Sequence, residues 1–118
     1  MVQANSQKMA QAAYASVRQR ASPGVPEKYV SFARSFPSLV HACGLAQAVA
    51  FARAKDHGQY LDDLAAVLNK IGHAEAASVD SLEKATREYP VPAYVRLSRN
   101  ALQAAGWLKR YVEAVSPE

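Results

Sequence analysis

Arg96, Arg99, Gln103 and Arg110 recur at spacings of 3, 4 and 7, the intervals that bring side chains onto one stripe of an α-helix. A guanidinium presents a planar fork of donors that matches phosphate oxygens, so such a stripe, with Lys109 beside it, could touch successive phosphates of a polyanion. Lys8, Arg18 and Arg20 in the first helix-like stretch extend the same basic chemistry. The plainer use of such residues is a solvated face whose long stems cover apolar surface.

The remaining reactive residues do not converge. Asp56, His57, Asp62 and Asp63 fall within eight positions, but Asp62 and Asp63 diverge by about 100° on a helix and His57 precedes it, so a metal site is not expected. His41, His57 and His73 are each sixteen residues from the next, without the short spacings of zinc ligands. Cys43 is the one cysteine; His41, two residues away, points about 200° from it on a helix, so a buried apolar thiol is expected rather than a nucleophile. Phosphate loops, nucleophile elbows and deaminase signatures are missing. No catalytic residue, metal or cofactor is expected, and a small enzyme is the least favoured reading.

Charge is unevenly spread. Residues 1–55 carry seven bases against Glu27 alone (+6), residues 56–88 three bases against seven acids (−4), and residues 89–118 four bases against two acids (+2). That asymmetry suits a polyanion on one side and protein contacts on another. A lone cysteine implies no oxidising compartment. The start of the chain lacks a signal-peptide pattern, and the apolar run between Leu39 and Ala54 is shorter than the ~20 residues a bilayer requires and carries His41 and Gln47, so the expected location is cytoplasmic, without membrane contact.

These residues must be positioned by helices. Ala dominates the hydrophobic half of the composition and aromatics are 8%, which favours close-packed helices over a sheet. Phe36–Lys55 is apolar around nearly its whole circumference and is expected to be the central helix, started by Pro37, with a neighbouring backbone close to Gly44. Before it, a first helix capped by Asn5 or Ser6 turns Ala10, Ala13, Tyr14 and Val17 inward. A turn follows at Ala21–Pro26, then a minor helix at Glu27–Ser35. After it, Gln59–Ile71 carries Leu61, Leu64, Leu68 and Ile71 at amphipathic spacing, with Asp62 and Asp63 in its first turn and Gly72 at its left-handed end. Ser78 or Asp80, the latter with Glu83, caps a short helix whose inner stripe is Val79, Leu82, Thr86 and Tyr89. Pro92 opens Ala93–Val115, with an inner seam of Leu97, Ala101, Ala104, Leu108, Tyr111 and Val115 and with Trp107 beside it. The expected fold is all-α: a compact single-domain bundle of about five or six helices over residues 1–118.

Three stretches carry a family resemblance: FPSLVHACGLAQAVAFARAK (Pro37, Leu39, Val40, Gly44, Leu45, Ala50, Phe51), YLDDLAAVL, and LSRNALQAAGWLKRYVEA with its Trp107-Leu108-Lys109-Arg110. In order and spacing they resemble the small subunit of type III-B CRISPR effector complexes, the Cmr complex; Cys43 stands where Asn is more usual. The resemblance implies a non-catalytic helical bundle that stacks in several copies along the belly of an RNA-cleaving ribonucleoprotein, cleavage belonging to another subunit. Its implied partners are other Cmr subunits, further copies of itself, guide RNA and complementary target RNA. Arg96, Arg99, Lys109, Arg110, Lys8, Arg18 and Arg20 are then candidate contacts to the RNA backbone. The alternative is a helical protein-protein adaptor whose basic residues touch no nucleic acid.

Overall fold

In the computed structural model, residues 4–21 and 24–115 are described, so Ser22 and Pro23 of the expected turn lie outside them. Five α-helices follow one another: α1 Asn5–Arg20, α2 Glu27–Ala54, α3 Gly58–Lys70, α4 Val79–Glu88 and α5 Val91–Val115, with a single 3₁₀ turn at Ala74–Ala76 between α3 and α4. No strand occurs among the described residues. The all-α bundle expected from the helical spacings is the fold observed.

The amphipathic stripes explain the packing. Met9, Ala13 and Val17 of α1, Leu61, Leu64 and Leu68 of α3, and Leu97, Ala101, Ala104, Leu108 and Val112 of α5 are buried together in one hydrophobic core. α5 packs against α1, α2 and α3, and α3 also touches α1, α2 and α4. Tyr60, Phe36 and Phe32 form an aromatic centre where α2 meets α3, with ring centroids 5.1 and 5.3 Å from Tyr60. Two seams are rotated slightly from expectation. Met9 rather than Ala10 and Tyr14 completes the α1 stripe, and Val112 rather than Tyr111 and Val115 ends that of α5.

The largest correction concerns α2. The minor and central helices are one element, in which Pro37 lies in mid-helix and starts nothing, and the break falls at Gly44, with φ 85° and ψ 162°. That region is essentially glycine-only. The expected close approach of a neighbouring backbone is therefore replaced by a conformational reason: a Cβ at Gly44 would meet only the Tyr94 hydroxyl, at an ordinary 3.7 Å. A break frees backbone donors in the turn that follows, and the Ala46 N–H donates to the Tyr94 hydroxyl at 3.0 Å.

α2 supplies nine buried side chains, more than any other helix, yet it is not enclosed. Ala42, Gln47, Ala50, Phe51 and Ala54 are exposed. Alanine has little apolar area to withdraw from water, so an alanine-rich run tolerates a wet side. At 28 residues α2 also has the length and hydropathy of a membrane-crossing segment, contrary to the length argument made from sequence; its break and its nine core side chains assign it to the bundle interior.

Local signals fared unevenly. Gly72 is left-handed at the end of α3, φ 105°, as expected. Ala4, not Asn5 or Ser6, precedes α1, and the Gln7 carboxamide accepts from its N–H at 3.2 Å. Ser78 caps α4, accepting from Ser81 N–H at 3.1 Å while the Ser81 hydroxyl accepts from Ser78 N–H at 3.0 Å. Asp80 and Glu83 instead hold Arg53 of α2, at 2.6 and 3.2 Å.

Candidate nucleic-acid interface

α1 and α5 pack side by side and together carry Lys8, Arg18, Arg20, Arg96, Arg99, Lys109 and Arg110 against one acid, Glu113. Glu113 is engaged by Arg34 of α2 at 3.5 Å. The basic candidates therefore share one pair of adjoining helices, but the structure gives them different environments.

Arg96, Arg99 and Arg110 are exposed on α5, and none has an ion-pair partner among the described residues. Lys109 is half-buried. Arg96 borders a cavity of about 860 Å³ whose wall includes His73, Asn100, Glu75 and Tyr89. There the Asn100 carboxamide nitrogen lies 2.8 Å from His73 Nε2, and the Tyr89 hydroxyl donates to Glu75 at 2.9 Å. Burial, and then the Arg96 charge, lower the His73 pKa, because both disfavour a cationic ring. The amide accordingly donates to a neutral imidazole.

Arg110 lines a second cleft, about 660 Å³, with Ser6, Gln103, Gly106 and Trp107. Trp107 stacks on Tyr111 at 5.8 Å, and Tyr111 meets Tyr14 edge-on at 5.5 Å. Arg18 lies over the Tyr14 ring at 5.7 Å and donates to its hydroxyl at 3.0 Å. From sequence these aromatics belong to core or interface seams; Tyr14 is in fact 48% exposed and Trp107 and Tyr111 are half-buried. Lys8 stands apart, half-buried at a third cleft that it shares with Gln11 and Lys70 of α3.

Arg20 is occupied within the fold. Its Nε donates to Asp63 Oδ2 at 3.0 Å and its Nη2 to Asp63 Oδ1 at 3.2 Å. Tyr29 donates its hydroxyl to the same carboxylate at 2.5 Å. The hydrogen bond to Asp63 raises the Arg20 pKa, while burial, reinforced by the Asp63 charge, raises that of Tyr29. Arg20 thus ties α1 to α3 through Asp63, with its side chain 26% exposed. Asp63 is not in the first turn of α3, where its charge would oppose the dipole; it is a buried acceptor. The missed signal was its register: three residues after Tyr60 and four before Val67 it falls on the apolar face, where a carboxylate requires a partner.

Cys43 is half-buried with its sulfur 3.2 Å from the Leu39 carbonyl, and His41 is exposed. No group of three metal-ligating side chains occurs among the described residues.

Fold and surface together define a small all-α module with exposed arginines on its last helix and Arg18 exposed on the first. Residues 5–115 match the family model described as CRISPR-associated protein (Cas_Cmr5), and the chain belongs to that family. It is similar to the CRISPR system Cmr subunit Cmr5 of Thermus thermophilus, 39% identical over 116 residues and 96% of both chains. It is also similar to the crystal structure of a Cmr5 family protein from Thermus thermophilus, with a TM-score of 0.85 at 36% identity over 97% of this chain and 98% of that one.

Proposed function

We propose that the chain is a non-catalytic structural subunit of a type III-B (Cmr) CRISPR ribonucleoprotein in the cytoplasm, supporting antiviral RNA interference. In this reading it stacks with further copies of itself and with other Cmr subunits along the guide RNA and its complementary target. The observation that carries it is the set of exposed guanidiniums of Arg96, Arg99 and Arg110, without ion-pair partners among the described residues, on a helix that adjoins the equally basic α1. Family membership and the near full-length similarity to a Thermus Cmr subunit support the assembly half of the reading. An assembly that accepts any guide must hold RNA by backbone and shape rather than by base edges, and arginines on one helix face suffice for that. Arg20 has no part in it.

The test is RNA retention by the assembled complex over a salt series. Replacing Arg96 and Arg99 with Ala should leave the fold intact, because both side chains are exposed. It should lower the slope of log affinity against log salt by about 0.7 for each phosphate no longer neutralised, equally for unrelated guides. An assembled double variant that holds RNA as the parent does at every salt concentration would favour the protein-protein adaptor.

A further inference from the structure

Gly106 sits in the middle of α5 without any reason internal to the fold. Its backbone is helical, where glycine is disfavoured, and a Cβ built on it meets no atom within 4 Å. Neither a special φ nor a packed neighbour requires glycine here, and the space above it is open. What borders it is chemically specific. Trp107, Gln103, Ser6 and Arg110 share the cleft with it. Tyr111 stacks against the indole at an interplanar angle of 21°. Beyond Tyr111 lie Tyr14 and the Arg18 guanidinium.

We propose that this cleft is a stacking site for unpaired bases of single-stranded RNA. The indole offers the ring, Gly106 lets a base and its sugar come down to the helix backbone, and Arg110 and Arg18 at the two ends of the aromatic strip take the flanking phosphates. Charge complementarity selects this occupant over a protein segment. α1 contains no acidic side chain, and the single acid of α5, Glu113, is engaged by Arg34. A basic strip with an aromatic wall suits an occupant that is both polyanionic and flat-faced, and single-stranded RNA is both. The inference rests on the reading that α5 faces RNA and adds to it a preference for unpaired over paired strands, since a duplex hides its ring faces.

Trp107 is the one tryptophan of the chain, so its fluorescence reports the cleft directly. The purified protein is titrated at low salt with an unstructured oligouridylate, with an RNA duplex of equal length and with inorganic polyphosphate. The single strand should quench the indole; duplex and polyphosphate should bind without doing so. Gly106→Leu puts bulk into the cleft at a position where the first added carbon meets no atom within 4 Å. It should weaken single-strand binding about five- to a hundred-fold, the range that loss of one stacked base implies, and leave polyphosphate binding unchanged. Single-strand binding without quenching, or equal quenching by polyphosphate, would overturn the stacking site while leaving the backbone contacts standing. Failure of all three polyanions to bind would overturn both readings. If Gly106→Leu spares single-strand binding but blocks incorporation into the complex, the cleft is a protein contact and the proposal falls. The titration of the unaltered chain decides the matter even if the variant does not fold.

Discussion

Arg20 of α1 and Asp63 of α3, 43 residues apart in sequence, meet in a two-pronged ion pair at 3.0 and 3.2 Å, and Tyr29 of α2 closes on the same carboxylate. Three helices are thereby tied through one acceptor that is only 6% exposed. Removing a buried partner leaves the others desolvated and unsatisfied, a larger penalty than the bond itself contributes. Asp63→Ala should destabilise the protein by about 2–4 kcal/mol in urea unfolding, the upper range being reduced because the Arg20 side chain is 26% exposed. A loss under about 0.5 kcal/mol would mean the pair is incidental.

Gly44 and Gly106 should respond to substitution in opposite directions. At Gly44, φ 85° and ψ 162° exclude side chains, so Gly44→Ala should cost about 1–3 kcal/mol although the space around it is adequate. At Gly106 the backbone is helical and the space is open, so Gly106→Ala should gain about 0.5–1 kcal/mol. Thermal unfolding of the two variants side by side checks both signs.

That contrast marks where sequence reasoning succeeds. Leu61, Leu64 and Leu68, or Leu97, Ala101, Ala104 and Leu108, announce buried faces because helical burial is periodic. The Gly72 stop is likewise a local event, written in adjacent residues. The break inside α2 falls at Gly44 and not at Pro37 of the same helix: a proline signals a boundary in any context, whereas a glycine does so only in its actual φ. The candidate site was half legible. Arg96, Arg99 and Arg110 are exposed as their off-seam positions imply, but pairing across 43 residues has no sequence spacing, and Arg18 and Arg20 look alike until Asp63 is placed.

His73 gives the fold a pH dependence with a definite sign. Its folded pKa is lowered, by burial first and by Arg96 second, against about 6.5 in the unfolded chain. Between those values the unfolded state binds more protons, so stability rises with pH. It is lost as pH falls below about 6.5, and the loss saturates beneath the folded value. Protonation at Nε2 would also set two donors face to face across the 2.8 Å contact with Asn100. His73→Gln, which keeps an acceptor but no titration, should lose less stability than the parent between about pH 7 and pH 5. Identical melting profiles of the two proteins over that range would refute the assignment.

Arg20 and Arg110 provide the sharpest separation between a structural arginine and one proposed to contact RNA. Arg20 commits its guanidinium to Asp63, whereas that of Arg110 is exposed beside Trp107 with no ion-pair partner among the described residues. Arg20→Ala should therefore lower the stability of the isolated protein by about 1–3 kcal/mol, because it strands the buried carboxylate. In complexes that still assemble, the salt slope of RNA binding should be unchanged. Arg110→Ala should leave the melting temperature within about a degree of the parent, as expected of an exposed substitution away from the core. It should lower the slope by about 0.7, the signature of one phosphate contact on a single strand. Both quantities are measured on both variants, so a general loss of folded protein cannot imitate either result. Should Arg20→Ala reduce the slope at unchanged stability, the ion pair would be breaking to release Arg20 to RNA, and the division drawn between the two arginines would be wrong.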